Sequence, residues 1–147
     1  VARIAPALTA RTVVRLDAAR SASRLARWQR VAREAAKQCG RSQLPEIEPP
    51  QPLAAWLTTP ADAGMLRLCL WEEERGPLAE ALDTLDATPT SAMVVVGPEG
   101  GLTPDEVDAA RRAGWRAVGF GPRLLRTETA GPAIVAALQF KFGDLGR

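Results

Sequence analysis

The sequence predicts an α/β fold with a mostly parallel sheet. Short β-like apolar runs alternate with helix-like runs along the chain, which is typical of this class. The clearest strand, 92–96, is continuous and rich in valine, as central strands of parallel sheets are. Two polar loops that contain glycine, 97–101 and 121–130, each follow a predicted strand and precede a predicted helix. Open α/β sheets bind their ligands at such loops, so we expect a site there.

Length and composition indicate one soluble domain of ordinary size. The chain has 147 residues, of which 46% are hydrophobic and 24% are charged. No apolar run approaches the ~20 residues needed to cross a bilayer, so we expect a cytoplasmic protein without a membrane partner. The first residues show neither an initiator methionine nor a signal pattern, and we expect the chain to begin inside a larger protein.

Residue usage narrows the possible chemistry. The chain contains no histidine, which excludes histidine base catalysis and most zinc or iron sites, and we expect no metal. Cys39 and Cys69 lie in apolar contexts. We expect both to be buried free thiols, and a disulfide between them is the less favoured alternative.

Positive charge is concentrated at the start of the chain. Residues 1–41 hold ten basic residues against two acidic ones, whereas the remainder holds nine basic against fifteen acidic. Seventeen of the nineteen cations are arginine, whose planar guanidinium contacts phosphate and stacks on bases. The pattern fits either an RNA-facing surface or a solvated helix face, and the charge alone does not decide between them.

The first part of the chain predicts short strands around one basic helix. The predicted elements, in chain order, are strands at 2–7 and 11–16, a helix at about 21–38, an extended proline-rich connector at 44–52 and a short helix at 53–57. Ser21 or Ser23 can cap the long helix, and Gly40 can end it.

The long helix has two different faces at ~100° per residue. The residues expected to pack inward are Leu25, Trp28, Ala32, Ala35 and Cys39. The residues expected to face outward are Arg20, Arg24, Arg27, Arg30, Arg33, Lys37 and Arg41.

Strands and helices alternate in the second part. The predicted elements are a strand at 64–71, a helix at 77–85, a strand at 92–96, a helix from 104 to about 113, a strand at 116–120 and a helix at 132–142. The helix at 104 has a complete start signal. Thr103 can cap it, Pro104 takes its first position, and Glu106 completes a capping box.

The loop 97–101 reads Gly-Pro-Glu-Gly-Gly and is neither a Rossmann fingerprint nor a P-loop. Its three glycines let the backbone approach a ligand and expose amides. Glu99 makes a neutral polar or cationic ligand fit better than a phosphate. The alternative is a turn that needs glycine only for steric reasons, and we favour the ligand.

The loop 121–130 places arginines, threonines and a glutamate around Leu124 and Leu125. Arg126 and Glu128 can pair with each other. Thr127 and Thr129 can cap the last helix. Both interpretations are compatible with a role in binding a substrate.

These two loops resemble those of the RsmE family, bacterial methyltransferases of small-subunit ribosomal RNA in the SPOUT superfamily. The matching segments, in order, are 11–14, Trp28 with 34–41, 45–47, 96–103, 106–107, Ala110, Gly114 and 120–130. The resemblance therefore covers nearly the whole chain. Ala10 and Cys39 depart from the family's usual Glu and Ser.

The resemblance implies a fold and an assembly. It implies one SPOUT domain over 1–147, with a parallel sheet, helices on both of its faces and a trefoil knot over about 91–147. It implies a homodimer. It also implies that a β-barrel RNA-binding domain, and the opening strand and helix of the catalytic domain, precede residue 1.

The implied reaction is the methylation of a uridine at ring nitrogen N3 by S-adenosylmethionine, which requires no metal. Three walls are expected around the cofactor: the two loops and the turn after Leu70. The cofactor-binding residues expected from the resemblance are Leu70, Gly97, Pro98, Glu99, Gly100, Gly101, Phe120, Gly121, Leu124 and Leu125.

The implied chemistry must remove the N3 proton of uridine or stabilise the anion. Arg126 or Arg123 can stabilise a uridinate, and Glu128 can orient that arginine or act as the base. Arg11 can reach in from the N-terminal strands, within one chain or across a dimer. The residues expected to contact RNA are Arg24, Arg27, Arg30 and Arg123.

Two alternatives remain open on the sequence alone. One is a basic RNA-binding fragment whose cofactor site does not form independently. The other is an unrelated α/β domain that binds a nucleotide at the glycine loop.

Overall fold

The computed structural model describes residues 1–12 and 18–146, which fall into two compact units. Unit 1 comprises Val1–Leu8 and Thr12–Trp56. Unit 2 comprises Thr9–Arg11 and Leu57–Arg147. No helix within the described ranges combines the length and the apolarity of a membrane span.

Unit 1 pairs short parallel strands and carries one long helix. The strand β1 (Arg3–Ile4) pairs with β3 (Glu46–Ile47), and β2 (Ala7–Leu8) pairs with β4 (Gln51–Pro52). The connector predicted at 44–52 is therefore extended, as expected. The strand predicted at 2–7 is two short strands, and most of the one predicted at 11–16 lies outside the described residues.

The long helix α1 spans Ala18–Gln38, and α2 spans Leu53–Leu57 as predicted. Because α1 begins three residues before Ser21, the predicted serine caps lie inside the helix. The indole N–H of Trp56 donates to the carbonyl of Pro6 at 3.3 Å, which ties α2 to the first strands.

The buried face of α1 differs from the prediction at its end. Leu25, Trp28 and Ala32 are partly buried, as expected, but Ala36 is buried while Ala35 and Cys39 are exposed. The 3.6-residue period carries the buried stripe from position 32 to position 36 rather than 35, so that prediction was wrong. The seven predicted cations of the outward face are all exposed. Both cysteines are free, and only Cys69 is buried.

Unit 2 is built on a three-stranded parallel sheet in the order β6-β5-β7. Its strands are β5 (Met65–Leu70), β6 (Ser91–Val95) and β7 (Arg116–Val118). Leu68 of β5 pairs with Val94 on one side and with Arg116 on the other. The prediction of a parallel sheet is confirmed.

Helices pack on this sheet, and alternate residues of β5 point to its opposite faces. The helices are α3 (Leu78–Asp83), α4 (Pro104–Arg112) and α5 (Thr127–Phe142). One face packs against α3 and α5 through Leu66, Leu68, Leu70, Leu78, Leu82, Val118, Ala130 and Ile134. On the other face, Arg111 of α4 lies 5.3 Å from the ring centroid of Trp71.

The start of α4 matches the prediction in detail. The hydroxyl of Thr103 accepts from the backbone N–H of Glu106 at 3.3 Å, and the Glu106 carboxylate accepts from the backbone N–H of Thr103 at 2.9 Å. Pro104 takes the first position. The capping box fixes where the helix begins after the glycine loop.

The last helix begins earlier than predicted. Proline favours the first turn of a helix, so Pro132 indicated a start there, but α5 begins at Thr127 and contains Pro132. Arg126 occupies the N-cap position and makes no side-chain capping bond. Thr127 instead donates its hydroxyl to the Gly97 carbonyl at 3.0 Å, so the interpretation of Thr127 and Thr129 as caps was wrong.

Candidate functional site

A cleft of about 710 Å³ lies within unit 2, at the carboxyl ends of the three parallel strands. Its walls are the segments that directly follow those strands: 70–72 after β5, 96–101 after β6 and 119–128 after β7. Parallel α/β sheets bind ligands at this edge, and the volume suits a small molecule. The expected three walls are all present.

The glycines of the 97–101 loop pack closely against neighbouring side chains. Gly101 has φ of +72°, and a Cβ there would overlap the Glu72 carboxylate. A Cβ on Gly97 would lie 3.1 Å from Cγ of Leu102. The positive φ favours glycine at position 101, a side chain at position 97 would crowd Leu102, and both residues bring backbone atoms to the cleft.

A second contact fixes the two strand-following loops to each other. The Thr127 hydroxyl at the start of α5 reaches the carbonyl of Gly97, which directly follows Val96 at the end of the β6 segment. A hydrogen bond of this kind contributes about 1 kcal/mol. It holds the two walls of the cleft at a fixed distance.

Gly100 does not line the cleft, although the sequence places it at the cofactor. Arg11 donates from Nη1 to the Gly100 carbonyl at 2.6 Å, and a Cβ on Gly100 would lie 3.3 Å from Cβ of Arg11. The neighbouring Ala10 N–H donates to Oε1 of Glu106 at 2.8 Å. We call Thr9–Arg11 the N-terminal clasp, since it holds the glycine loop and the start of α4 together.

The clasp changes the interpretation of Arg11. The sequence analysis expects this arginine to reach the reacting groups, within one chain or across a dimer. Arg11 lies instead against the backbone of the glycine loop and is not among the residues that line the cleft. Within this chain its contact is to the loop, and its role toward a substrate stays a prediction.

The loop after β7 carries strongly exposed side chains. Leu124 is 82% exposed, and the side chain of Arg126 is 87% exposed. A guanidinium nitrogen of Arg126 lies 3.9 Å from a carboxylate oxygen of Glu128, so the predicted pair forms. Such an exposed pair contributes little to stability, which leaves both groups available to a ligand.

The cleft also holds acidic side chains. Glu72, Glu99 and Glu128 line it together with Arg123 and Arg126.

Glu74 lies just beyond the cleft and is fully engaged. It pairs with Arg111 at 2.7 Å, and the hydrogen bonds from the backbone of Gly76, from Arg111 and from Arg75 together lower its pKa. The same Arg111 lies over the Trp71 ring, and the buried indole N–H of Trp71 has no hydrogen-bond partner within the described residues.

Cys69 on β5 is not a nucleophile at neutral pH. Burial raises the pKa of its thiol to about 11, even though Arg111 nearby lowers it. A thiol with this pKa stays protonated, and protonated thiols are poor nucleophiles.

The structure brings most of the predicted site residues together. Every predicted cofactor residue except Gly100 lines the cleft, as do Arg123, Arg126 and Glu128. Cleft residues that were not individually predicted to belong to the site are Trp71, Glu72, Val96, Gly119, Pro122, Thr127 and Ala130. Trp71 and Glu72 could have been predicted to belong to the site, because they directly follow a buried strand.

Three predicted RNA contacts lie elsewhere. Arg24, Arg27 and Arg30 are exposed on α1 in unit 1. Within residues 1–12 and 18–146, no group of three or more histidine, cysteine or carboxylate side chains is arranged to hold a metal.

Fold and cleft together define an α/β domain with a small-molecule site at the carboxyl edge of a parallel sheet, framed by glycine-bearing loops. Comparison with known proteins identifies the family. The family model for the RNA methyltransferase domain matches residues 1–139. The chain belongs to this RNA methyltransferase family, so the resemblance seen in the two loops is confirmed and an unrelated nucleotide-binding domain is excluded.

Curated relatives carry the name ribosomal RNA small subunit methyltransferase E. The protein of Mycobacterium bovis is 38% identical over 138 residues, covering 88% of this chain and 49% of that protein. The protein of Bacillus subtilis is 31% identical over 139 residues, covering 92% of this chain and 54% of that protein. The chain thus spans about half the length of these relatives.

Solved structures share the fold. A methyltransferase from Legionella pneumophila, in complex with the bound cofactor SAM, has a TM-score of 0.89 at 31% identity and covers 99% of this chain and 57% of its own. The ribosomal RNA small subunit methyltransferase E from Neisseria gonorrhoeae, bound to S-adenosyl methionine, has a TM-score of 0.85 at 36% identity, with the same coverage.

Proposed function

We propose that this chain binds S-adenosylmethionine and transfers its methyl group to small-subunit ribosomal RNA. The observation that carries the proposal is the cleft of about 710 Å³ between the loops that follow the three strands of unit 2. Support comes from relatives with this named activity and from two similar structures that contain the cofactor.

The residues of the cleft fit this cofactor. Leu70, Phe120 and Leu125 offer apolar surface to a flat heterocycle, and the glycine loop offers backbone groups that a ribose or an adenine can reach. Carboxylates and arginines in the same cleft can bind the ammonium and carboxylate of a methionine tail. When bound, the cofactor supplies an electrophilic methyl group on a sulfonium.

The finer reaction that we propose is methylation at N3 of a uridine. The guanidinium of Arg126 or Arg123 stabilises the uridinate that forms when the N3 proton leaves. Glu128, whose carboxylate lies 3.9 Å from Arg126, orients that arginine or accepts the proton. The chain contains neither histidine nor tyrosine, so these two residue types are not available as the base.

Arg11 is proposed to act through the glycine loop. Its hydrogen bond to the Gly100 carbonyl keeps the loop in the conformation that faces the cleft. Holding the nucleophile and the methyl carbon in line supplies several kcal/mol, on the order of 7 or more at best, so the position of this loop affects the rate.

For RNA binding, we propose the exposed cations Arg24, Arg27 and Arg30 of α1, together with Arg123 at the cleft. Arginine at successive turns of one helix face matches a polyanion better than isolated charges do.

We further propose a cytoplasmic homodimer with a trefoil knot over about 91–147. The side chain of Phe140 on α5 is 71% exposed, and Leu145 just beyond the helix is also exposed. Apolar surface of this kind favours burial against a second copy.

The proposal is tested by methyl transfer from labelled S-adenosylmethionine to small-subunit ribosomal RNA, with nucleoside analysis of the product by mass spectrometry. The expected product is N3-methyluridine. Label on another base or another uridine atom would contradict the proposed chemistry. RNA binding without any transfer would favour the alternative of a basic RNA-binding fragment.

A further inference from the structure

We infer that Glu72 selects the charge of the cofactor, so that the cleft prefers cationic S-adenosylmethionine over its neutral product, S-adenosylhomocysteine. The inference rests on the proposed function, because it concerns the same cleft and the same cofactor. It assigns a specificity role to a residue that neither loop motif contains.

The position of Glu72 brings its carboxylate to the glycine loop. Glu72 follows β5 by two residues and lines the cleft. A Cβ built on Gly101 would lie 3.0 Å from the carboxyl carbon of Glu72 and would overlap one of its oxygens. The missing side chain at Gly101 therefore leaves room for this carboxylate between the first and second walls of the cleft.

Glu72 and Glu99 differ from the other acidic groups of this region because neither forms a hydrogen bond or an ion pair within residues 1–12 and 18–146, and the carboxylate of Glu72 also lies against Gly101. Glu74 pairs with Arg111, and Glu106 binds the clasp and the Thr103 cap. Glu128 lies 3.9 Å from Arg126. Glu72 forms no hydrogen bond or ion pair with any residue in the ranges that the structure describes. An unpaired carboxylate in a ligand cleft is available to a cationic ligand.

The net charge of the cleft also favours a cationic ligand. Three glutamates line it against two arginines, and Arg126 is already close to Glu128. The remaining lining charges are Glu72 and Glu99 against Arg123. A net negative cleft attracts a cation.

S-adenosylmethionine and S-adenosylhomocysteine differ by one methyl group and one positive charge. A carboxylate that acts by charge strengthens binding of the first and leaves binding of the second nearly unchanged. For a solvated pair about 4–6 Å apart, Coulomb's law in water predicts an effect of roughly three- to sixfold at low salt. Weaker retention of the neutral product would then favour its release after transfer.

The test is calorimetric titration of both compounds into the wild-type chain and into the Glu72→Gln variant. The matched control is Glu73→Gln, which removes an exposed neighbouring carboxylate that does not line the cleft. We expect Glu72→Gln to weaken S-adenosylmethionine binding about three- to sixfold at low salt and to leave S-adenosylhomocysteine binding within twofold. The control is expected to change neither affinity. Sinefungin, an analogue with an amine in place of the sulfonium, is expected to follow the cationic cofactor.

The outcomes separate this inference from the proposed function. An equal loss for both compounds in Glu72→Gln would overturn charge selection and would indicate contact with a part that the two share, such as the ribose. Wild-type affinity for both compounds in Glu72→Gln would also overturn it. In both cases, binding by the wild-type chain would leave the proposed function standing. If the wild-type chain bound neither compound, the proposed function itself would fail.

Discussion

Arg126 is the residue on which the proposed chemistry depends most. Its side chain is 87% exposed at the N-cap of α5, next to the cleft, and Glu128 is its ion-pair partner. A guanidinium held this loosely contributes little to folding, so its removal leaves the fold intact. Its value lies in the charge that it offers to an anion forming in the cleft.

We therefore predict that Arg126→Ala abolishes methyl transfer while binding of S-adenosylmethionine changes no more than a few-fold. The loss is expected to fall on kcat, because stabilisation of the developing anion is needed only in the transition state. Single-turnover assays and titrations measure the two quantities. Arg112→Ala, an exposed arginine of α4 outside the cleft, serves as the control. Near wild-type turnover in Arg126→Ala would contradict the assignment.

The buried thiol of Cys69 makes the stability of the fold depend on pH, and this dependence can be measured. Burial raises the pKa of its thiol from 9.0 to about 11, so the folded chain holds this proton more tightly than the unfolded chain. The resulting stabilisation is fully present below pH 9 and is lost as the pH rises through 11. We predict that the free energy of unfolding falls more steeply between pH 9 and 11 in wild type than in Cys69→Ala.

Denaturant titrations across that pH range measure the slope. Cys69→Ala also removes buried volume, which lowers stability by an amount that does not depend on pH, so only the difference in slope is diagnostic. Parallel slopes in the two proteins would show that the thiol does not titrate differently in the folded chain.

At the scale of elements, the N-terminal clasp holds the glycine loop from outside the cleft. Arg11 and Ala10 donate to Gly100 and Glu106 respectively, and Glu106 also caps α4. We predict that Arg11→Ala weakens S-adenosylmethionine binding roughly three- to tenfold, because about 1 kcal/mol of loop stabilisation is lost before the cofactor binds. Titration calorimetry measures this change.

The control for the clasp is Arg75→Ala, an exposed arginine of the same unit that does not line the cleft. Arg11→Lys is expected to recover part of the affinity, since an ammonium can still donate to one carbonyl. Unchanged affinity in Arg11→Ala would mean that the loop keeps its conformation without the clasp. A loss of turnover alone, with normal binding, would return Arg11 to the reacting groups.

The cationic face of α1 is the second element with a testable role. We predict that the triple variant Arg24→Gln, Arg27→Gln and Arg30→Gln binds ribosomal RNA more weakly and with a flatter salt dependence. Each lost phosphate contact lowers the slope of log K against log salt by about 0.7–0.9. Fluorescence anisotropy at several salt concentrations measures it, with Arg75→Gln plus Arg112→Gln as a control for charge removed elsewhere on the surface. An unchanged slope would make α1 an ordinary solvated face.

Local sequence patterns predicted most helices and strands. They failed where a contact with a distant residue determines where an element begins. Thr103, Pro104 and Glu106 form the expected capping box because all three groups lie within one turn. The start of α5 was misplaced because Pro132 resembles a first-turn proline, while the hydroxyl of Thr127 is taken by the distant Gly97. The contact could not be read from either segment alone.

At the scale of the whole molecule, the site is not one continuous stretch of chain. Thr9–Arg11 lies in unit 2, although the residues on either side of it in the chain belong to unit 1. Arg11 and Gly100 are 89 positions apart, and Ala10 and Glu106 are 96 apart. Sequence periodicity carries no information at such separations, so the contacts of Arg11 with Gly100 and of Ala10 with Glu106 could not be predicted from it.

The central claim is that the loops of unit 2 form a binding site for S-adenosylmethionine. Calorimetric titration of this cofactor into the chain, after circular dichroism has established that the sample is folded, tests it most directly. The account predicts micromolar binding with close to one cofactor per chain, and no comparable binding of ATP or NAD. A folded sample that binds no S-adenosylmethionine, or that prefers ATP or NAD, would contradict it.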